Sequence, residues 1–322
     1  MYSRWLKSQF FLSVFAGLAS VPAAAGAEQC MHSDLDVVVL GSGGPELSDR
    51  RASTGYLVRE KGKARFIVDF GAGSSLNFEY AGGKIKDLEA LLFTHFHVDH
   101  SNDLPALVKA SYFSERDRDL PIYGPTGNHT IPTTPVFVER HFGEEGVYPY
   151  LSDFLTGEAA FRLKPVAVNA DKSRPEMFET KIGGFTLRAV PVEHGLLPSL
   201  GWRIEKNGCS VTVSGDTSNL GRTLDRLAVN TDIFIAHNAV PENARDKVAL
   251  KLHMTPSEIG RIAKETSSRS VVLSHFMRRT EHVRDETAAA IRRHYQGKLA
   301  FAEDCDIYSL QTGMKTGSCK QR

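Results

Sequence analysis

The stretch Thr94-His95-Phe96-His97-Val98-Asp99-His100 puts three imidazoles and a carboxylate within six residues, directly after a largely apolar run at 88–93. A run of that kind reads as a buried strand. A strand ending in dense nitrogen and oxygen donors suits a borderline divalent ion such as Zn²⁺. His95 and His97 stand two apart, so on an extended backbone their side chains point the same way. Asp99 and His100 follow where the chain turns, which lets them face a second ion.

Further metal-competent residues stand on other strand ends. His194 follows the strand expected at 185–192. Asp216 follows the second arm of a hairpin expected at 200–205 and 209–213, turning on Lys206-Asn207-Gly208. His275 closes the apolar run that begins at Val271. One strand-end histidine is ordinarily structural; four strand ends that all carry donors point to a metal centre. Strands are also expected at 37–40, 55–58, 65–70, 120–125, 233–237 and 301–310, and helices at 104–113, 255–265 and 284–295. Thr255-Pro256-Ser257-Glu258 has the form of a capping box. Gly41-Ser42-Gly43-Gly44-Pro45 lacks a following G-K-[ST], so it reads as a tight turn whose backbone passes close to a site. The segment 126–171 shows no clear period and reads as short helices and loops. Hairpins followed by strands alternating with helices, in both halves, predict an α/β fold of two mixed sheets packed face to face with helices outside.

The chain has 322 residues and a net charge of +1, so no bulk basic field draws in nucleic acid. Residues 1–27 have the form of a secretory signal: Arg4 and Lys7, an apolar stretch at 10–18, and Ala25-Gly26-Ala27 as a cleavage site. That apolar stretch is short beside the roughly 20 residues of a membrane span. The expected organisation is a signal peptide at 1–27 and a single hydrolase domain at 28–322. The expected location is the periplasm or the exterior, with no membrane association once the signal is removed. An exported chain can oxidise Cys30, Cys209, Cys305 and Cys319, and a Cys30–Cys319 bridge would tie the two ends together.

With its T-H-F-H-V-D-H, V-E-H-G, S-G-D-T and L-S-H-F in this order, the chain resembles the metallo-β-lactamase-fold hydrolases. Gly41 to Pro45, Val68-Asp69-Phe70-Gly71, Leu252-His253-Met254-Thr255 and Ala302-Glu303-Asp304 resemble the branch that holds ribonuclease Z, metal-dependent phosphodiesterases and a group of arylsulfatases. The resemblance implies an αββα sandwich with two Zn²⁺ ions, Mn²⁺ or Fe being the alternatives. It implies that His95, His97 and His194 hold one ion, that Asp99, His100 and His275 hold the other, and that Asp216 bridges them. Asp99 is counted among the reacting groups as well as the ligands. The resemblance makes His253 a proton donor to the leaving group and Asp69 a residue that orients a ligand histidine. That branch has His-Glu where this chain has His237-Asn238, and an amide cannot raise a neighbouring imidazole's pKa as a carboxylate does.

Two ions about 3.5–4 Å apart can clamp the attacking and leaving oxygens of an ester and bring the pKa of a shared water to about 7. The expected activity is hydrolysis of phosphodiesters or aryl sulfate esters on a small anionic substrate, with Arg278 and Arg279 placed to meet its oxygens. Lactone or lactam hydrolysis is the alternative; the resemblance sets the carboxylate at Asp216 against a lactam. RNA processing and ligand binding without turnover stand behind both. No nucleic-acid partner is expected, because only 21 residues separate His194 from Asp216 and a hairpin fills them. A homo-oligomer is compatible with the sequence.

Overall fold

The computed structural model describes residues 1, 30 and 34–319; the expected leader, Met1 apart, lies outside the described residues. Among the described residues fifteen strands form two sheets. They are β1 (Leu35–Gly41), β2 (Gly55–Glu60), β3 (Lys63–Phe70), β4 (Ala90–Leu92), β5 (Leu120–Pro125), β6 (Leu163–Val168), β7 (Phe178–Ile182), β8 (Phe185–His194), β9 (Leu197–Lys206), β10 (Cys209–Val213), β11 (Ile233–His237), β12 (Ser270–Ser274), β13 (Lys298–Phe301), β14 (Asp306–Ser309) and β15 (Lys315–Ser318). One sheet has the order β15-β14-β1-β2-β3-β4-β5-β6, the other β13-β12-β11-β10-β9-β8-β7.

Alternation along the strands builds three apolar layers. Val37, Val39, Tyr56, Val58, Phe66 and Val68 face Leu187, Leu200, Trp202, Ile204, Val211 and Ile235 between the sheets. Their neighbours Val38, Leu40, Leu57 and Ile67 point outward onto Leu104, Leu107, Val108 and Phe142 of the outer helices. On the far side Phe234, Ala236, Val271 and Leu273 pack against Ile259, Ile262 and Ile291. Strands buried on both faces read as continuous apolar runs, which is why β1, β4, β11 and β12 are plain in the sequence. The layers are those of the expected αββα sandwich.

Several expectations need correction. The segment 126–171 contains β6, an edge strand with exposed positions and Pro165, which hide its period. The stretch 301–310 is not one strand: β13 ends at Phe301 in one sheet and β14 begins at Asp306 in the other, with Cys305 at φ 70° in the crossing. The helix Pro256–Glu265 starts where expected, but Thr255 makes no side-chain cap bond; Glu258 instead accepts from Asn219 and Arg261. The disulfides are Cys30–Cys209 and Cys305–Cys319. The bridge between the ends is ruled out by register: β15 runs antiparallel to β14, which sets Cys319 N 2.9 Å from Cys305 O. Among the described residues no helix is long and apolar enough to cross a membrane.

Candidate metal centre

The ends of β4, β8, β10, β11 and β12 meet at one edge of the sandwich. Strand carboxyl ends in α/β sheets are the usual place for a ligand site. After β4 the backbone stays extended to His97 (φ −66°, ψ 152°) and then turns into the short helix Val98–Ser101. His95 and His97 therefore share a side, and the helical turn swings Asp99 and His100 onto another. Phe96, between them, points away and stacks on Phe137 at 4.0 Å. Leu200 N donates to Thr94 O and Trp202 Nε1 to Phe93 O, fixing this loop to the second sheet.

Two donor sets form. In the first, His97 Nδ1 lies 3.0 Å from His95 Nε2 and 3.4 Å from His194 Nε2. Four ligands 2.0–2.1 Å from a tetrahedral Zn²⁺ stand about 3.3 Å apart, so these nitrogens are spaced as zinc ligands are. In the second, His100 Nε2 lies 3.5 Å from Asp99 Oδ2 and 3.6 Å from Asp216 Oδ2, and His275 Nε2 lies 3.3 Å from Asp216 Oδ1. His100 Nε2 is buried without a hydrogen-bond partner. An orphaned buried nitrogen among carboxylates fits a bound cation. Asp216 Oδ2 also lies 3.8 Å from His194 Nε2, so this carboxylate belongs to both sets.

The far nitrogens of the rings are already taken. Asp69 accepts from His100 Nδ1 at 2.8 Å and from Thr94 N and Oγ1, each at 2.7 Å. Thr94 Oγ1 in turn lies 3.0 Å from His95 Nδ1. His194 Nδ1 donates to Leu252 O at 2.9 Å, and His275 Nδ1 to Thr54 Oγ1 at 2.6 Å. Each bond selects the tautomer with a lone pair on Nε2, the form a metal needs. Asp69 and His275 both hold positive φ, 56° and 57°, where non-glycine residues are costly and cluster at functional sites. Gly44 passes so close that a β-carbon there would lie 3.2 Å from His275 Nε2, which explains the glycine turn.

Protonation matches this chemistry at four of the five ligand histidines, His100 being the exception. Burial holds His95 and His275 well below the usual imidazole range and lowers His97 and His194 too. Burial opposes the charge on Asp216, but His275, His253 and His100 outweigh it and keep the carboxylate well below its ordinary value. Burial also disfavours a charged His100, yet Asp69, Asp99 and Asp216 together hold it well above. His253 is pushed down to about 4 by burial, against the pull of Asp216. Its Nδ1 is buried and unpartnered, 3.9 Å from Asp216 Oδ2.

All seven expected ligands and His253 are thus brought together. Five of the ligands and His253 line a cleft of about 480 Å³ walled by Pro45, Val98, Val248, Leu252 and Met277, with Arg279 at one side, and His95 and His100 are fully buried outside its lining. Arg279 is held by Ala239 O at 2.5 Å, whereas the backbone N–H of Arg278 donates to Glu46 away from this cleft. A larger groove of about 700 Å³, lined by Phe78, Leu107 and Phe113, contains none of these donors. Sequence reasoning missed Tyr56, Thr54 and the role of His237. His237 lies among the second set by position, and the signal that could have flagged it is its place at the end of β11, the same signal that found His275.

The model of the beta-lactamase superfamily domain matches residues 65–276. A ribonuclease Z of Mycobacterium sp. (strain KMS) is 29% identical over 262 residues, covering 76% of this chain and 84% of that protein. The metallo-β-lactamase-fold protein YhfI of Bacillus subtilis superposes with a TM-score of 0.67 at 22% identity, covering 86% of this chain and 99% of YhfI. The short form of human tRNase Z superposes at 0.65 with 20% identity, covering 85% and 99%. The fold is the metallo-β-lactamase fold. The expectation that nucleic acid has no part is overturned: the mycobacterial relative is a ribonuclease and the human neighbour a tRNase, both enzymes of RNA by name. Net charge and the lack of a long insert were weak grounds, because neither describes the groups that line the cleft.

Proposed function

The chain belongs to the beta-lactamase superfamily, and from that premise we propose that it is an exported, two-metal hydrolase of phosphodiesters, with zinc as its resident ion. The observation that carries this reading is Asp216, whose Oδ2 faces His194 of one donor set and His100 of the other. When bound, a metal pair supplies Lewis acidity and a water that ionises near neutral pH. His95, His97 and His194 would hold one ion, and Asp99, His100 and His275 the other. Asp69, Thr54 and the Leu252 carbonyl fix the ring orientations. Arg279 offers an anionic ester its only arginine contact among the residues lining the cleft. His253 is neutral near pH 7 before substrate arrives. An anionic ester raises a neighbouring imidazole's pKa, which favours proton transfer from His253 to the departing oxygen.

The leader-like residues 1–27 and the two disulfides support export to an oxidising compartment. Aryl sulfates share the anionic ester geometry and belong in the same assay. The test is metal analysis of the purified protein, followed by turnover of bis(p-nitrophenyl) phosphate, a short RNA with a 3′ extension, p-nitrophenyl sulfate, a lactone and nitrocefin. Two ions per chain and preference for a phosphodiester are expected. A metal content near zero after zinc supplementation, or turnover of the lactone or nitrocefin alone, overturns the reading.

A further inference from the structure

His237 is a residue whose position and hydrogen bonding disagree. It ends β11 as His275 follows β12, and its ring stacks on that of His275 with centroids 4.8 Å apart. By position it is a further ligand for the second donor set. Both of its nitrogens are nevertheless committed. Nδ1 lies 2.7 Å from Asp216 Oδ1, and Nε2 lies 3.0 Å from the Tyr56 hydroxyl. At that distance from an ionised carboxylate Nδ1 carries the hydrogen, so Nε2 accepts from the Tyr56 O–H. Tyr56 is 0% exposed and His237 2%, so water cannot replace either partner.

These bonds divide the work of the Asp216 carboxylate. Oδ1 receives His237 and lies 3.3 Å from His275 Nε2 of the second set, while Oδ2 is left 3.6 Å from His100 Nε2 and 3.8 Å from His194 Nε2, facing both donor sets. A carboxylate free to rotate would not keep one oxygen on the boundary between two ions.

We propose that Tyr56 and His237 act as a two-link brace. They are positioning residues that fix Asp216 with Oδ2 toward both ions, and the Tyr56 hydroxyl withholds His237 from coordination. The proposal rests on the two-metal reading of the site. Partners of this kind typically contribute 10–100-fold to metal affinity.

The test is chelator competition on the zinc-loaded full chain, with zinc per chain counted and the melting temperature of each metal-free variant recorded. Tyr56→Phe keeps the ring and removes the hydroxyl; about tenfold weaker retention of the more labile ion is expected. His237→Asn can place an amide N–H where Nδ1–H stands but cannot also reach the Tyr56 hydroxyl, so a loss of about tenfold, like that of Tyr56→Phe, is expected. His237→Leu has no donor and should lose about 100-fold. If His237→Asn is as weak as His237→Leu, the imidazole is itself a ligand and the brace is wrong. If Tyr56→Phe retains zinc as wild type does, the hydroxyl has no role. Should His237→Leu melt too low to assay, Tyr56→Phe and His237→Asn decide alone. Wild type without zinc would overturn the two-metal reading itself, whereas wild type with two ions and unmoved variants overturns only the brace.

Discussion

The two donor sets differ in charge and in how they are held. The first is built from His95, His97 and His194, three imidazoles whose braces are a hydroxyl and a carbonyl. His97 is partly exposed to the cleft. The second is built from Asp99, His100 and His275, is buried, and is braced by the Asp69 carboxylate and the Thr54 hydroxyl. All-imidazole donors suit zinc, and carboxylate-rich donors accept harder ions such as Mn²⁺. One cleft therefore offers two unequal sites, and Asp216 is the group they share. The asymmetry has a mechanical reading too. Each set lends two residues to the cleft lining, His97 and His194 from the first and Asp99 and His275 from the second, but the second is fixed by contacts made 31 and 221 residues away in sequence.

Asp216→Ala is the change expected to do most, because it strikes both sets. Both ions should be held less tightly, and activity should fall by more than the 10–100-fold typical of an outer partner. Metal counts and turnover on one preparation check this. Near-normal turnover with two ions would show that the sets do not share the carboxylate.

His253→Ala should spare both sets and separate substrates instead. His253 stands between them, with ring centroids 5.4 Å from His194 and 5.9 Å from His275. A general acid contributes typically 10²–10⁴-fold where the leaving group needs its proton. An alkyl phosphodiester should slow by roughly that much, and a nitrophenyl ester, whose phenolate leaves unaided, should barely change. Equal losses on both esters would remove the acid role, and loss of metal would make His253 a ligand.

The divide between legible and hidden parts follows sequence separation. The ligands were legible because each lies at the end of an apolar strand, and four of them share one short motif. Asp69 was legible as an orienting residue only through family resemblance. The Thr54–His275 and Tyr56–His237 bonds span 221 and 181 residues, and no local pattern marks a threonine or tyrosine on β2 as part of a metal centre. Register, which sequence does not state, also decided the disulfides. The edge strand β6 was hidden by its exposure, since periodicity is visible only where a face is buried.

The sets should also part on pH. Metal binding at His100 Nε2 must expel the proton that Asp69, Asp99 and Asp216 favour there, whereas His95 and His194 are already neutral near pH 7. Below the raised His100 pKa, one proton leaves per ion bound, so affinity of the second set should rise about tenfold per pH unit and then level off. The first set should stay nearly flat near neutrality. Zinc titrations at several pH values, with proton release measured in weak buffer, check the difference. Equal slopes for both ions would erase it.

The smallest expected effect probes the neutral brace of the second set. Thr54 Oγ1 donates to Gly43 O at 3.1 Å and accepts from His275 Nδ1 at 2.6 Å, so it fixes the ring that follows β12 while tying down the glycine turn. Thr54→Val has nearly the same shape and removes only the hydroxyl. A neutral hydrogen bond contributes about 0.5–1.5 kcal/mol net, and leaving a buried partner unsatisfied costs about 1–3 kcal/mol. The second ion should therefore be held roughly 5–100-fold less tightly, toward the lower end if the His275 ring turns to find another acceptor. The first ion should be unaffected, because no ring of the first set touches Thr54. Chelator competition that resolves two ions measures both affinities at once. If the two fall together, the bond steadies the whole cleft through the glycine turn. If only the second falls, the two sets are braced independently and meet at Asp216 alone.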